Sequence, residues 1–235
     1  MMYKFFSYLG FGAFGSIVRT KFFAVGSLVF ATGCAQLDQF ETVENMRHEA
    51  SQLTAVSEKV FYQGGPMAGA KLYAGVQNNW LQKVKHRGKN LGAVQLVRNE
   101  EFPGERVYRV SFKGLGQVYL QTKRFVDLED FLEEEGVLSV DMIVHEYPTD
   151  NVILRLDCGW PCHGTANITR PLMDATLEKR FTLKVPIECF AATGAQLDNI
   201  NSPFLVTTSG KVSFSFDNVV WRKNALEEPD VFQCF

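Results

Sequence analysis

The chain has 235 residues, with 24 Lys and Arg against 26 Asp and Glu, a formal charge of −2, 46% hydrophobic and 13% aromatic residues. This composition excludes a disordered, collagen-like or coiled-coil chain, and the lack of excess base argues against a nucleic-acid partner. The length suits one domain, at most two, with enough chain to bury a core. The first 33 residues hold three bases (Lys4, Arg19, Lys21), no acid and seven of the 20 Phe, so the remaining 202 residues are mildly acidic.

The N-terminus reads as an address. Arg19 and Lys21 precede eleven uncharged residues, Phe22 to Thr32, and then Gly33-Cys34. A basic flank, a short apolar run and small residues make a secretory signal, and a membrane-spanning helix needs roughly 20 residues. Ala31-Thr32-Gly33-Cys34 resembles the bacterial lipobox, in which the Cys becomes the lipidated first residue, although Ala31 stands where Leu is usual. A further apolar stretch from Met1 to Val18 leaves two alternatives open, a later start or an uncleaved anchor from about Tyr3 to Thr32. The expected organisation is a leader over 1–33, a polar tether over 34–58 and a domain over 59–235. Ala35 after Cys34, where Asp would retain a lipoprotein at the inner membrane, points to lipid anchoring at the outer membrane of a bacterial envelope.

Five cysteines occur, at 34, 158, 162, 189 and 234. With Cys34 lipidated, an even number remains for an oxidising compartment. Three pairings are open. In the one with a tight Cys158–Cys162 loop, Cys189 and Cys234 tie the C-terminal tail to a strand upstream. Zinc is the competing reading, with His163 beside Cys162, but C-x3-C with an adjacent His lacks structural-zinc spacing. A redox pair would need C-x-x-C, which is absent.

From about residue 59 the signals are strands: 60–62, 71–76, 94–97, 106–112, 117–122, 137–144, 152–156, 181–185, 204–207 and 211–216 are short, rich in β-branched and aromatic residues, and bounded by Gly, Pro or Asn. Val140, Met142 and Val144 alternate onto one face, as do Val212, Phe214 and Phe216. Asp127 to Glu135 places Leu128, Phe131 and Leu132 at helical spacing before Gly136 and predicts one short helix. Asp217-Asn218 predicts a turn or bulge in the last strand. Strands without alternating helices predict an all-β sandwich.

Several motifs occur in one order: Phe125-Val-Asp-Leu128, Gly136-Val-Leu-Ser-Val-Asp141, Leu156-Asp-Cys-Gly-Trp-Pro-Cys162, Leu183-Lys-Val-Pro-Ile-Glu-Cys-Phe190, Ser202-Pro-Phe-Leu-Val206 and Phe216-Asp-Asn-Val219. The series resembles the ExoP galactose-binding-like domain, the C-terminal accessory module of bacterial family 3 glucan exohydrolases, over about residues 90–235. The resemblance implies a jelly-roll β-sandwich, galactose-binding-like, without a catalytic barrel. Phe181 stands where relatives usually carry Trp.

For sugar recognition the chemistry requires an aromatic face for C–H surfaces beside groups that reach hydroxyls. Trp160, in the Cys-bounded turn, Trp80, after Asn78-Asn79, and Tyr147 are the candidates. Trp221, flanked by Val219, reads as a strand interior. No metal or cofactor motif is present. Asp141, Asp157, Asp198 and Asp217 are compatible with a structural calcium, but no fixed spacing defines a site. No G-x-S-x-G, H-E-x-x-H or phosphate loop occurs, and His145-Glu146 would point to opposite faces of a strand. Lys83 to Lys89 is a basic cluster that reads as a solvated loop. The expected function is a non-catalytic exported lipoprotein that binds a glucan-like or cell-envelope glycan and meets the membrane through its lipid. The alternatives are an assembly lipoprotein docking a protein partner and, less favoured, a glycoside hydrolase.

Overall fold

Alternating apolar and polar residues build two antiparallel sheets. A computed structural model describes residues 57–67, 69–102 and 105–234, and thirteen strands lie among them. The leader, nearly all of the tether and Cys34 lie outside these residues, all of which belong to the unit Gln52–Phe235. In chain order the first strands are β1 (Glu58–Tyr62), β2 (Ala70–Val76), β3 (Asn79–Lys83), β4 (Gly88–Asn90), β5 (Val94–Phe102), β6 (Glu105–Lys113) and β7 (Gly116–Thr122). Helix α1 (Glu129–Glu133) follows, then β8 (Val137–Glu146), β9 (Val152–Asp157), β10 (His163–Asn167) and α2 (Thr169–Asp174). The chain closes with β11 (Arg180–Pro186), α3 (Ile187–Ala192), β12 (Ser202–Thr208) and β13 (Lys211–Arg222). One sheet runs β11-β8-β13-β6-β5-β4 with β1 also on β13, and the other runs β10-β9-β12-β7-β2-β3.

The all-β sandwich expected from the strand pattern is present, with all ten expected strands, in keeping with the jelly-roll fold that the resemblance implies. Three short strands, β3, β4 and β10, are additions. Asn79–Lys83 and Gly88–Asn90 escape the alternation rule because they bury almost nothing, and His163–Asn167 because its two buried residues, Gly164 and Ala166, are too small to mark a strand. The acidic helix is shorter than the pattern suggested, and α2 and α3 join it. α3 buries Ile187, Cys189 and Phe190, so only part of one turn is amphipathic and no long periodic signal arises. No helix among the described residues is long and apolar enough to cross a membrane.

The core lies between the sheets. Val212, Phe214 and Phe216 of β13 point inward as expected, and Val219 and Trp221 continue the same row. Register against β8 shifts between Asp217 and Val220, so one extra residue is inserted there. This bulge switches the inward row from even to odd numbers. Asn218 takes φ 47°, a left-handed conformation that Asn tolerates and β-branched residues do not. Trp221 is fully buried, donates its indole N–H to the Pro203 carbonyl at 3.3 Å and meets Phe190 edge-on at 5.9 Å. Its role is structural.

Two disulfides are formed among the described residues, Cys158–Cys162 and Cys189–Cys234, with Cα–Cα distances of 5.1 and 5.5 Å. The second closes a separation of 45 residues and ties the tail to α3, while Lys184 of β11 donates to the Pro229 carbonyl at 2.9 Å. In the chain-entropy model a loop of this length stabilises by about 4 kcal/mol, and the tight one by about 2 kcal/mol. Replacing Cys189 and Cys234 together by Ser should therefore lower the urea midpoint roughly twice as far as replacing Cys158 and Cys162 together, measured on oxidised protein.

Candidate functional site

Sheet parity assigns every second residue of the six-stranded sheet to its outer face. Leu72 and Ala74, Val118 and Leu120, Phe204 and Val206, and Leu154 and Leu156 turn into the core. Their neighbours face away, and the register aligns them in rows. The central row runs Lys83, Tyr73, Tyr119, Leu205, Arg155 and Thr165 across all six strands. Gln117 and Thr207 flank it on one side, Gln121 and Asp157 on the other, all partly accessible.

Two aromatic rings and the backbone of Trp80 meet at the β2–β3 side of this face. Tyr73 and Tyr119 stack with centroids 5.4 Å apart and planes 16° from parallel. The Tyr119 hydroxyl donates to the Trp80 carbonyl at 3.2 Å, across the intervening strand. Gly75 makes this crossing possible. A Cβ on it would lie 2.8 Å from the Trp80 Cα and closer still to the Trp80 carbonyl oxygen, so only glycine lets β3 fold over the outer face. Trp80 is held there with 41% of its surface exposed. Burial, reinforced by the neighbouring Tyr73 and Asp157, pushes the Tyr119 phenol above the ordinary tyrosine range, so it remains a neutral hydrogen-bond donor near neutral pH.

The polar half of the face is ordered as well. Arg155 and Asp157 stand two residues apart on one side of β9, and Arg155 donates to Asp157 Oδ1 from Nη2 at 2.7 Å and from Nε at 3.1 Å. Both side chains keep about a quarter of their surface, so the pair is desolvated enough to hold its geometry and open enough to bind. An aromatic ridge beside fixed donors and acceptors can take an extended ligand whose apolar faces alternate with hydroxyls.

The sequence candidates do not share one face. Trp160 sits in the turn after β9, 91% exposed, at one edge strand and one end of the sheet. Trp80 sits in β3, the other edge strand, near the opposite end. Five strand spacings separate the two edges, about 24 Å. Tyr147 lies on the loop leaving β8 and donates to the Ala175 carbonyl at 3.0 Å, outside both regions. Trp160 and Trp80 therefore share no loop face, and Trp80 lies instead beside the outer sheet face that carries Tyr73 and Tyr119. The missed tyrosines have a signal in the sequence: both are polar-tipped aromatics at outward positions of strands whose alternate residues are aliphatic.

The other sheet carries two polar clusters on its outer face. Asp141 accepts from Arg180, from Thr182 Oγ1 at 2.7 Å and from Asn218 Nδ2 at 2.7 Å, which braces the bulge of β13. His145 bridges two other segments. Its ring nitrogens meet Glu178 Oε2 at 2.8 Å and Ser215 Oγ at 2.9 Å. This order of groups resembles a nucleophile, base and acid, but Ser215 is fully buried in a strand paired on both sides, leaving its N–H in the ladder. The chain of bonds ties β8, β13 and the segment before β11 together. The four Asp considered for calcium are dispersed: Asp141 and Asp157 are bonded as above, Asp198 lies in the 3-10 turn Leu197–Asn199, and buried Asp217 accepts from the Gly64 N–H at 2.7 Å. Among the described residues no three His, Cys, Asp or Glu gather as a metal centre. Lys83 to Lys89, expected as a loop, ends β3 and enters β4, with Lys89 donating to Gln82 at 3.2 Å.

A two-sheet sandwich with an aromatic, hydrogen-bonding sheet face defines a module of the galactose-binding-like class. A family model described as galactose-binding domain-like, that of the ExoP C-terminal domain, matches residues 71–221, and the chain belongs to this family. The match begins before the motifs at 90–235 and stops short of the tail. No curated protein matches by sequence. Among solved structures, the extra C-terminal domain of the exo-1,3/1,4-β-glucanase ExoP from a Pseudoalteromonas species is similar at TM-score 0.59 and 10% identity, over 75% of this chain and 98% of that one. The whole glucanase matches at TM-score 0.61 and 11% identity, over 76% of this chain but only 22% of its own. A family 30 carbohydrate-binding module of the cellulosomal cellulase Cel9D-Cel44B of Clostridium thermocellum matches at TM-score 0.52 and 13% identity, over 71% and 97%. At these identities the likeness is one of fold.

Two outcomes check this geometry. Gly75→Ala should lower stability by about 2 kcal/mol, the cost of forcing a Cβ into a filled space, read as a lower urea midpoint. For Asp141, burial raises the carboxyl pKa, but hydrogen bonds from Arg180, Asn218 and Thr182 and the Arg180 charge outweigh it and hold the carboxyl below its usual range. A depressed folded pKa contributes stability above the unfolded value that is lost as pH falls through the folded one. Asp141→Asn should thus cost about 1–2 kcal/mol at pH 7, and the gap between variant and parent should close as the medium is taken below the ordinary carboxylate range.

Proposed function

We propose that the chain is a non-catalytic carbohydrate-binding module that takes a β-glucan or envelope polysaccharide along the outer face of the six-stranded sheet. The observation that carries this reading is the Tyr73–Tyr119 stack with Trp80 folded over Gly75, facing the Arg155–Asp157 pair in the same sheet. Tyr73, backed by the buried ring of Tyr119, and Trp80 supply apolar surface for the pyranose C–H groups. Gln117, Gln121 and Thr207 supply partners for hydroxyls along the strand ends. Proteins that share this fold include a domain of a glucanase and a carbohydrate-binding module, which favours a polymer over a free sugar. Lipidation of Cys34 after export, for which the Ala31–Cys34 sequence is the basis, would hold the module at a bacterial membrane, and Ala35 after the Cys favours the outer one.

Isothermal titration of the oxidised protein with mixed-linkage, β-1,3 and β-1,4 glucans and with bacterial polysaccharides tests the reading. Tyr73→Ala and Trp80→Ala should each weaken binding about five- to thirtyfold, a loss of about 1–2 kcal/mol per aromatic contact. Trp160→Ala should leave the affinity unchanged. Absence of binding across the panel, or loss with Trp160→Ala alone, would overturn it.

A further inference from the structure

The two most exposed aromatic side chains among the described residues, Trp160 at 91% and Phe125 at 60%, stand on the same end of the sandwich. The register shows this directly. Asp157, Ser202, Thr122 and Ala70 are aligned at the same ends of β9, β12, β7 and β2. The backbone continues the alignment past the strands: Asn201 donates to Asp157, Thr122 to Asn201 and Lys123 to Gly69. The Trp160 turn and the Phe125 segment are thus two strand spacings apart, about 10 Å, and Met67, 39% exposed, follows on the next loop.

The part of this rim between Met67 and Phe125 is cationic. Met67 and Phe125 border a shallow cavity of about 460 Å³ that is also lined by Lys59, Lys123 and Arg124 and by no acid. Lys123 and Arg124 immediately precede Phe125 and are exposed. Lys59 Nζ turns towards the Asp127 carbonyl at 3.3 Å, so it is the most committed of the three. Acids stand at this end as well: Asp127 two residues after Phe125, Asp157 at the end of β9, Asp198 in the turn that bonds Leu128, and Asp130 and Glu134, which face Lys223 at 3.7 and 2.7 Å. Arg222, aligned with Glu58 in the ladder, is at this end too. β1 therefore enters the sandwich at this end.

We propose that this end of the sandwich docks on an anionic lipid surface, with Trp160 and Phe125 inserted at the headgroup level and Lys123 and Arg124 on the lipid phosphates. A tryptophan on a loop apex is amphipathic and favours the bilayer interface, where its ring is dry and its N–H is wet. Basic side chains beside it gain from the negative surface potential over about a Debye length. Trp160 has no place on the glycan face, so this assignment stands whether or not the sheet binds sugar. The domain would then stand with its strands upright on the membrane and the outer face of the six-stranded sheet turned sideways.

The test uses the full chain with vesicles of phosphatidylcholine alone or with about one-third phosphatidylglycerol, some lipids carrying a doxyl quencher near the headgroup. Trp160 emission is isolated by subtracting the Trp160→Phe variant. It should shift to the blue and be quenched on the anionic vesicles only. The double variant K123Q/R124Q should reduce the ratio of docked to undocked domain roughly thirtyfold, about 1 kcal/mol for each base removed, and raised salt should act in the same direction. Near-UV circular dichroism identical to the parent shows that these surface changes leave the fold intact. Equal quenching on both vesicle types, no quenching on either, or a Trp160 response to glucan rather than lipid would each overturn the proposal.

Discussion

The fold depends on a single strand. β13 pairs with β8 on one side and with β6 and β1, end to end, on the other, so three neighbours take their register from it. Its inward row of Val212, Phe214, Phe216, Val219 and Trp221 is fully buried and forms the aromatic centre of the core. Phe216 alone touches the rings of Tyr62, Phe204 and Phe214, with centroids 5.0 to 6.4 Å apart. A register slip of one residue would turn this row to solvent. The bulge at Asp217–Asn218 is the point where that could happen. Three hydrogen bonds into Asp141, one of them from Asn218 itself, hold it against that slip.

The strand order was harder to read in the sequence than the strands themselves. Ten runs with period-two patterning became ten strands because each contributes a face to the core, and burial is what writes that pattern. β3, β4 and β10 bury little and left no such trace. The switch from even to odd on β13 was visible only as Asp217-Asn218, a turn-prone pair whose consequence for Val219 and Trp221 requires the third dimension. Both disulfides were among the open pairings, and the choice was made by the fold, which carries the tail back to α3.

The site was legible by residue type and illegible by position. Trp80 and Trp160 are equally plausible sugar contacts in one dimension. Only sheet topology puts β3 and β10 on opposite edges and so assigns the two rings to different surroundings. Tyr73 and Tyr119 were passed over for the opposite reason. In the sequence they sit 46 positions apart inside ordinary strands, and they become a stacked pair because β2 and β7 are neighbours in register. Gly75 belongs to the same logic. Its importance lies in the backbone that crosses it, and a composition or motif reading has no access to that.

The division of the molecule into a sheet face and an end rim follows from how a sandwich can expose chemistry. Residues on a sheet face are spaced by the ladder and held rigidly, which suits matching the repeat of an extended polymer with rings and hydrogen-bonding groups. Residues on the end loops can project fully, as Trp160 does, but their mutual spacing depends on loops. Such a rim suits a fluid partner that demands insertion and charge and sets no fixed repeat. The turn bearing Trp160 is closed by Cys158–Cys162 and so keeps its ring presented without a packing partner. The same constraint would serve poorly in a groove that had to adjust to a ligand. The glycan face and the lipid-docking rim that we propose would thus be a face and an end of one sandwich, differing in character because a sheet and its end loops expose chemistry differently.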